Sequence, residues 1–231
     1  PLVTGVQTCA LPICIEPVDG TGAATELEAD LLVVAAGRVP NSSGIGLEGA
    51  SVAVERGFIS VDAQMRTSNP HIYAVGDVIG GLQLAHVAAH EGLIAAHAIA
   101  GQPIHAMNYA KQPRATYCRP EVASVGATTQ ELERDGVPFV AGVMPFAAVA
   151  KAHIGGESDG FCKVIRHAES GELLGVHMVG PKVTDLIAEA SLAMELGATA
   201  GQVGGATHPH PTLSEVLGEA ALVSLGRSVN F

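Results

Sequence analysis

From Pro113 onward the chain places its apolar residues first in short runs and only then in longer helical stretches, and this segregation constrains its fold most. Thr116–Tyr117, Val122–Val125, Phe139–Met144, Phe161–Arg166 and Leu173–Val179 read as strands separated by turn residues. A short helix is expected over Thr128–Asp135, where Thr128 and Glu131 have the spacing of a capping box. Helices over Thr184–Leu196, stopped by Gly197, and from Thr212 to about Ser224 close the sequence. Strands followed by segregated helices predict an α+β unit, an antiparallel sheet with helices packed on it.

Residues 26–112 have a different texture. Leu31–Ala36 is a continuous apolar run closed by Gly37, the pattern of a strand buried on both faces. Pro40 fixes its own φ and pushes Val39 out of helix, so Arg38–Asn41 is a turn. Gly57–Val61 reads as a short strand, Thr67–Pro70 as a turn, and His71–Val75 as a second buried strand ending in Gly76–Asp77. Ala85–Ala100 is an alanine-rich helix stopped by Gly101, with Pro103 just beyond. An α/β segment before an α+β unit places the domain boundary at about residue 112.

Composition removes several classes. With 48% hydrophobic residues the chain has enough apolar surface for a sizeable core. Its 12 Lys+Arg against 23 Asp+Glu argue against nucleic acid or an anionic membrane as partner. No apolar run approaches the ~18–20 residues that cross a bilayer. Four cysteines in 231 residues do not make a disulfide scaffold, and Cys118 and Cys162 read as buried apolar residues. Cys9 and Cys14 form a C-x4-C pair, a spacing found in redox disulfides. Pro12 lies between them and no helical pattern follows to lower a thiol pKa. Pro1–Ile13 resembles the translation of sequencing-adapter read-through and lacks the basic start of a signal peptide, so it is set aside as foreign to the fold.

The sharpest local signal is His208-Pro209-His210-Pro211-Thr212-Leu213-Ser214-Glu215. Two prolines hold the backbone extended around His210, orienting it through the main chain. Glu215, five residues on, is placed either to hold one imidazole nitrogen as a His–Glu dyad or to cap the last helix from its first turn. Spacing alone favours the cap. A His-x-His pair also suits zinc, but no third ligand stands at a suitable spacing. Gly76 and Asp77 end a strand at the edge where open α/β sheets bind ligands; Gly76 allows close approach and Asp77 accepts hydrogen bonds from sugar hydroxyls. His86, His90 and His97 share one helix face, but His86 and His97 lie about 16 Å apart along it and cannot share an ion. That face reads as polar or ligand-facing.

Taken in order, Ala35–Asn41 (AAGRVPN), Tyr73–Val78 (YAVGDV), Leu84–Gly92 (LAHVAAHEG), Arg119–Gly126 (RPEVASVG), Gly175–Gly180 (GVHMVG) and His208–Glu215 (HPHPTLSE) resemble the C-terminal half of the pyridine-nucleotide disulfide oxidoreductases. Within that family the dihydrolipoyl dehydrogenase branch is most similar, and the resemblance covers nearly all of residues 26–231. It implies a leader and partial NAD-domain segment over 1–25, the tail of the NAD domain over 26–41, part of the FAD domain over 42–112 and a dimerisation domain over 113–231. It also implies that Asp77, beside Gly76, binds the ribityl chain of FAD. Leu84, Ala85 and His86, at a helix N-terminus, would face the flavin pyrimidine ring, where that terminus stabilises negative charge. His210 would deprotonate a dithiol with Glu215 orienting it, which moves the reading of Glu215 from cap toward dyad.

The resemblance further implies a cytoplasmic homodimer, with His210 acting on the other subunit's disulfide. NAD would be co-substrate, and the dihydrolipoyl groups of a 2-oxo acid dehydrogenase-type complex the partner. The family's glycine-rich FAD motif, redox cysteines and most of its NAD site lie upstream of these residues, so the 231 residues alone are expected to be inactive. Leu213-Ser214 and His208 fit the lipoamide branch. The lack of any cysteine after Cys162 disfavours the branches with a C-terminal redox pair or selenocysteine. A glutathione reductase-like enzyme, a non-catalytic dimerisation module and a His-x-His metal hydrolase remain as alternatives.

Overall fold

The computed structural model describes residues 31–227 and, before them, the backbone of three strands at 5–7, 13–15 and 25–27. The remaining positions, among them Cys9 and most of the 1–13 leader, lie outside the described residues. The chain divides into two compact units, Pro1–Ala106 and Met107–Phe231.

In the first unit β1 (Gly5–Gln7) pairs antiparallel with β4 (Leu32–Val34), and β2 (Ile13–Ile15) with β3 (Thr25–Leu27). The apolar run at 31–36 therefore yields a three-residue strand, and it is not buried. Leu31, Val33 and Val34 are 48, 59 and 45% exposed. One antiparallel partner satisfies an edge of the strand but covers neither face. A hairpin of two-residue strands follows, β5 (Val54–Glu55) with β6 (Phe58–Ile59), of which only β6 falls within the expected strand Gly57–Val61. The expected strand at His71–Val75 is also corrected. His71 lies in a turn, and among the described residues the segment pairs only through an isolated Arg66–Tyr73 bridge. That bridge is made by the Thr67 N–H donating to the Ile72 carbonyl and the Ala74 N–H to that of Met65, and the pairing goes no further. Val52, Ile59 and Ala74 form one small buried cluster of this unit.

Helix α1 (Ala85–Ile99) matches its expected span. Val87, Glu91, Ile94 and Ala95 are buried at i, i+4, i+7 and i+8, one stripe of a 3.6-residue period. His86, His90 and His97 fall on the exposed side. Gly101, at φ 64, ends the helix, and Gln102 N–H donates back to the His97 carbonyl over 2.9 Å.

The second unit is the expected α+β arrangement. Strands β7 (Arg114–Thr116), β8 (Glu121–Gly126), β9 (Phe139–Pro145), β10 (Phe161–His167) and β11 (Leu173–Gly180) form one antiparallel sheet in the order β7-β8-β11-β10-β9. Cross-strand register aligns Val125, Val176, Val164 and Gly142 in one row and Ala123, Met178, Cys162 and Met144 in the next. Both rows are buried beneath α4 (Val183–Glu195) and α6 (Glu215–Ser224). On the other face Arg114, Ser124, His177 and Lys163 stand in register. Gly142 sets how closely α6 approaches: a Cβ there would lie 2.3 Å from both Ala220 O and Ser224 N. From β10, Arg166 Nε donates to the Ser224 carbonyl over 3.0 Å and supplies the cation that the last turn of α6 lacks.

Helix α2 (Thr129–Arg134) has the Thr128–Glu131 capping box in full. Two six-residue helices were not expected: α3 (Ala150–Gly155) and α5 (Ala200–Gly205). Helix α6 begins at Glu215 rather than Thr212. Thr212 Oγ1 donates to the Pro209 carbonyl over 2.7 Å and faces Ser214 Oγ at 2.8 Å rather than a backbone N–H of the helix, whose N-cap is Ser214. Cys118, expected to be buried, is exposed on the loop after β7, while Cys162 is buried and its thiol pushed up by loss of solvent.

Candidate active site

The packing of α6 fixes the site. Val216, Leu217, Ala220 and Ala221 are buried at a two-abreast helical spacing, each of the larger pair contributing about 1.5–3 kcal/mol of burial. This holds Glu215, the first residue of α6, against the loop that precedes it. Glu215 Oε1 lies 2.9 Å from His210 Nδ1, while Oε2 accepts the Thr212 N–H over 2.9 Å. The two readings of Glu215 thus coexist, one on each oxygen. Burial raises the Glu215 carboxyl, but the Thr212 N–H, the His210 hydrogen bond and the nearby imidazoles outweigh it and hold it below its ordinary value of 4.5. An ionised carboxylate only accepts, so His210 Nδ1 carries the proton and Nε2 is left with a lone pair. The ring is 71% exposed, beside a ≈330 Å3 cavity between Glu215 and the Ala148–Ala150 turn. The His210–Pro211 peptide is cis.

His208 has the opposite situation, at 11% exposure. Its Nε2 lies 2.8 Å from Oε1 of Glu189 on α4, a partner that no sequence spacing announced. Gly218 of α6 makes room for this ring, since a Cβ there would lie 2.8 Å from His208 Cε1 and 2.9 Å from Nδ1. Both imidazoles are thus engaged by carboxylates. Among the described residues no three His, Cys, Asp or Glu side chains converge as a metal would require.

The first unit brings together the other residues singled out in the sequence. Gly76 and Asp77 begin a 3-10 turn (Gly76–Ile79) that packs against α1. Gly76, at φ 78, donates its N–H to Glu91 Oε2 over 2.7 Å, and a Cβ on it would lie 3.2 Å from Ala88 Cβ. Glu91 is 2% exposed; sequence reading missed it, although a carboxylate in the buried stripe of a helix is a signal in itself. The Asp77 carboxylate is half-exposed and paired with Arg38 Nη1 at 2.5 Å. Leu84 is the N-cap of α1, and Ala85 and His86 open its first turn. No side chain caps this end and no acidic residue occupies it.

Comparison with known proteins meets this geometry in both units. The model of the pyridine nucleotide-disulphide oxidoreductase dimerisation domain matches residues 112–221, and the model described as pyridine nucleotide-disulphide oxidoreductase matches residues 16–92. The chain belongs to the pyridine nucleotide-disulphide oxidoreductase family. The first match contains His208, His210 and Glu215, and the second contains Gly76, Asp77 and Leu84–His86. Dihydrolipoyl dehydrogenase of Bacillus subtilis is 48% identical over 210 residues, 91% of this chain and 44% of that protein. The dihydrolipoyl dehydrogenase of Cupriavidus necator is 42% identical, over 99% of this chain and 48% of that protein. The chain therefore spans about half the length of these relatives. Among solved structures, LpdA of Mycobacterium tuberculosis has a TM-score of 0.78 at 27% identity, covering 94% of this chain and 47% of that one. The flavoprotein disulfide reductase RclA of Escherichia coli, at 24% identity and TM-score 0.76 over 86% of this chain and 47% of that one, shares the fold. Among the described residues no helix is long and apolar enough to cross a membrane.

Proposed function

We propose that this chain is the C-terminal portion of an NAD-dependent flavoprotein that oxidises a dihydrolipoyl dithiol, with His210 as base and Glu215 as the group that orients it. The carrying observation is the His210–Glu215 contact on an exposed ring. Glu215 holds the Nδ1 proton, which points the basic Nε2 away from α6 toward an incoming thiol. An imidazole so held takes the thiol proton, and the paired carboxylate stabilises the imidazolium that forms. The relatives named above support the dihydrolipoyl class of substrate over a glutathione-type disulfide.

The first unit fits a flavin. Asp77 presents a half-exposed carboxylate for ribityl hydroxyls, Gly76 keeps the turn close to α1, and Leu84, Ala85 and His86 leave a helix N-terminus without an acidic side chain. That end favours the electron-rich side of the pyrimidine ring. When bound, FAD supplies the two-electron relay between dithiol and NAD. The working form is a cytoplasmic homodimer serving a 2-oxo acid dehydrogenase-type complex, in which residues 26–41, 42–112 and 113–231 are NAD-domain, FAD-domain and dimerisation segments.

Grafting residues 26–231 in place of the matched half of the Bacillus subtilis relative provides the test. His210→Gln should lower turnover of dihydrolipoamide by roughly two to four orders of magnitude, the range for a general base, with flavin content unchanged. Glu215→Gln should cost less. Parental turnover in the His210 variant would refute the assignment. The 231-residue chain alone should purify colourless and inactive.

A further inference from the structure

The two histidines around Pro209 are each paired with a carboxylate, but only one faces outward. His210 is open on Glu215, while His208 is enclosed between Glu189 of α4 and the bare backbone of Gly218 on α6. We propose that the His208–Glu189 pair is a positioning device for the His210 base, fastening the loop to α4 so that His210 and Glu215 stay in register. This rests on His210 being the base of the reaction described above.

The loop between His208 and Glu215 is short, and its hydrogen bonds form a closed set. His208 Nε2 meets Glu189 at one end, Thr212 Oγ1 donates to the Pro209 carbonyl in the middle, and Glu215 takes the Thr212 N–H at the other. His210 lies between the outer two fastenings. Glu215 is fixed to α6 by that helix's packing, but the position of His210 relative to it depends on where the loop begins. That starting point is His208. Glu189 lies on the half-exposed side of α4, whose buried stripe of Val183, Ile187, Ala190 and Met194 sits firmly on the sheet. The geometry also explains why position 218 is glycine inside a helix, where alanine is about 1 kcal/mol better by propensity. An added methyl would displace the His208 ring.

Imidazole 15N spectra and amide hydrogen exchange on the 231-residue chain test this without any catalytic assay. The parent should show His210 as the Nδ1–H tautomer. Glu189→Ala, at an exposed helix position that folding tolerates, and His208→Ala should both mix the His210 tautomers. Each should speed Thr212 amide exchange about tenfold to a hundredfold, the weight of one hydrogen bond to a charged group. Exchange in the β8–β11 amides should not follow. His208→Gln, which can still donate to Glu189, should restore much of the parental behaviour, and the double alanine variant should add little to either single one. An unchanged tautomer and unchanged Thr212 exchange in the Glu189 variant would overturn the proposal and leave His208 as core packing. That failure is distinct from a failure of the base assignment, which shows only in the turnover of the grafted enzyme.

Discussion

The Met107–Phe231 unit seals one face of its sheet, with two aligned rows of side chains covered by α4 and α6. The Pro1–Ala106 unit gathers a cluster of three buried residues, Val52, Ile59 and Ala74, apart from the buried stripe of α1, and leaves Leu31, Val33 and Val34 open on a three-residue strand or beside it. Both units carry apolar runs of similar strength. The difference is the register of a covering layer: an antiparallel sheet whose own sequence continues into helices can close on itself, whereas a strand patterned for burial on both faces depends on layers from elsewhere. The two sites inherit this contrast. The His210–Glu215 pair is fixed by a packed helix, and the Gly76–Asp77 turn by separate polar contacts, chiefly the buried Glu91 carboxylate on Gly76 N–H and the Arg38–Asp77 pair.

The sharpest way to break the comparison is to open the sealed core. Leu217→Ala, at 1% exposure, should cost about 2–5 kcal/mol, and the loss should appear in denaturant melts followed in the second unit. A cost below 1 kcal/mol would mean that α6 is not the clamp described here.

Acid should weaken the second unit next, and in a defined order. Burial depresses His177, whose Nε2–H donates to the Ala127 carbonyl, and Lys163 in register beside it adds to that shift. A histidine with a depressed folded pKa binds fewer protons folded than unfolded. Its contribution is therefore present above 6.5 and is lost as pH falls through the folded value. Below 4.5 the same sign applies to Glu121, lowered chiefly by the Thr184 hydroxyl, and to Glu215. Thermal melts between pH 8 and 5 should show the midpoint falling toward acid, and His177→Asn should flatten that slope.

The smallest effect belongs to the open strand. Val33→Thr should change stability by no more than about 0.5 kcal/mol, as for a surface position. A loss comparable to that of Leu217→Ala would show that β4 is covered in solution and would erase the contrast.

Much was legible where the signal is local. Strands β8 to β11, the span of α1 with its Gly101 stop, and the Thr128–Glu131 box follow from period, cap and turn chemistry within a few residues, whereas β7 lies at Arg114–Thr116 rather than Thr116–Tyr117. The His210–Glu215 spacing pointed to both contacts that Glu215 makes, to the His210 ring and to the Thr212 N–H. Helix α5 also announced itself, through the Thr199–Gln202 capping box, but its six Ala- and Gly-rich residues have too little periodicity to be read as a helix. Helix α6 starts after Thr212 because its hydroxyl meets the Pro209 carbonyl and Ser214 Oγ instead of a backbone N–H of the helix.

Sequence alone determined the order of the strands and of α2, α4 and α6 in the second unit, because apolar periodicity and backbone punctuation act over one or two turns. Only the tertiary structure decided that Leu31, Val33 and Val34 lie open, that Cys118 is exposed, that Arg38 meets Asp77 and that Glu189 holds His208. Each of these joins, or fails to join, groups far apart along the chain. A side chain's burial and its partner are properties of the surface packed against it, and no local spacing specifies that surface.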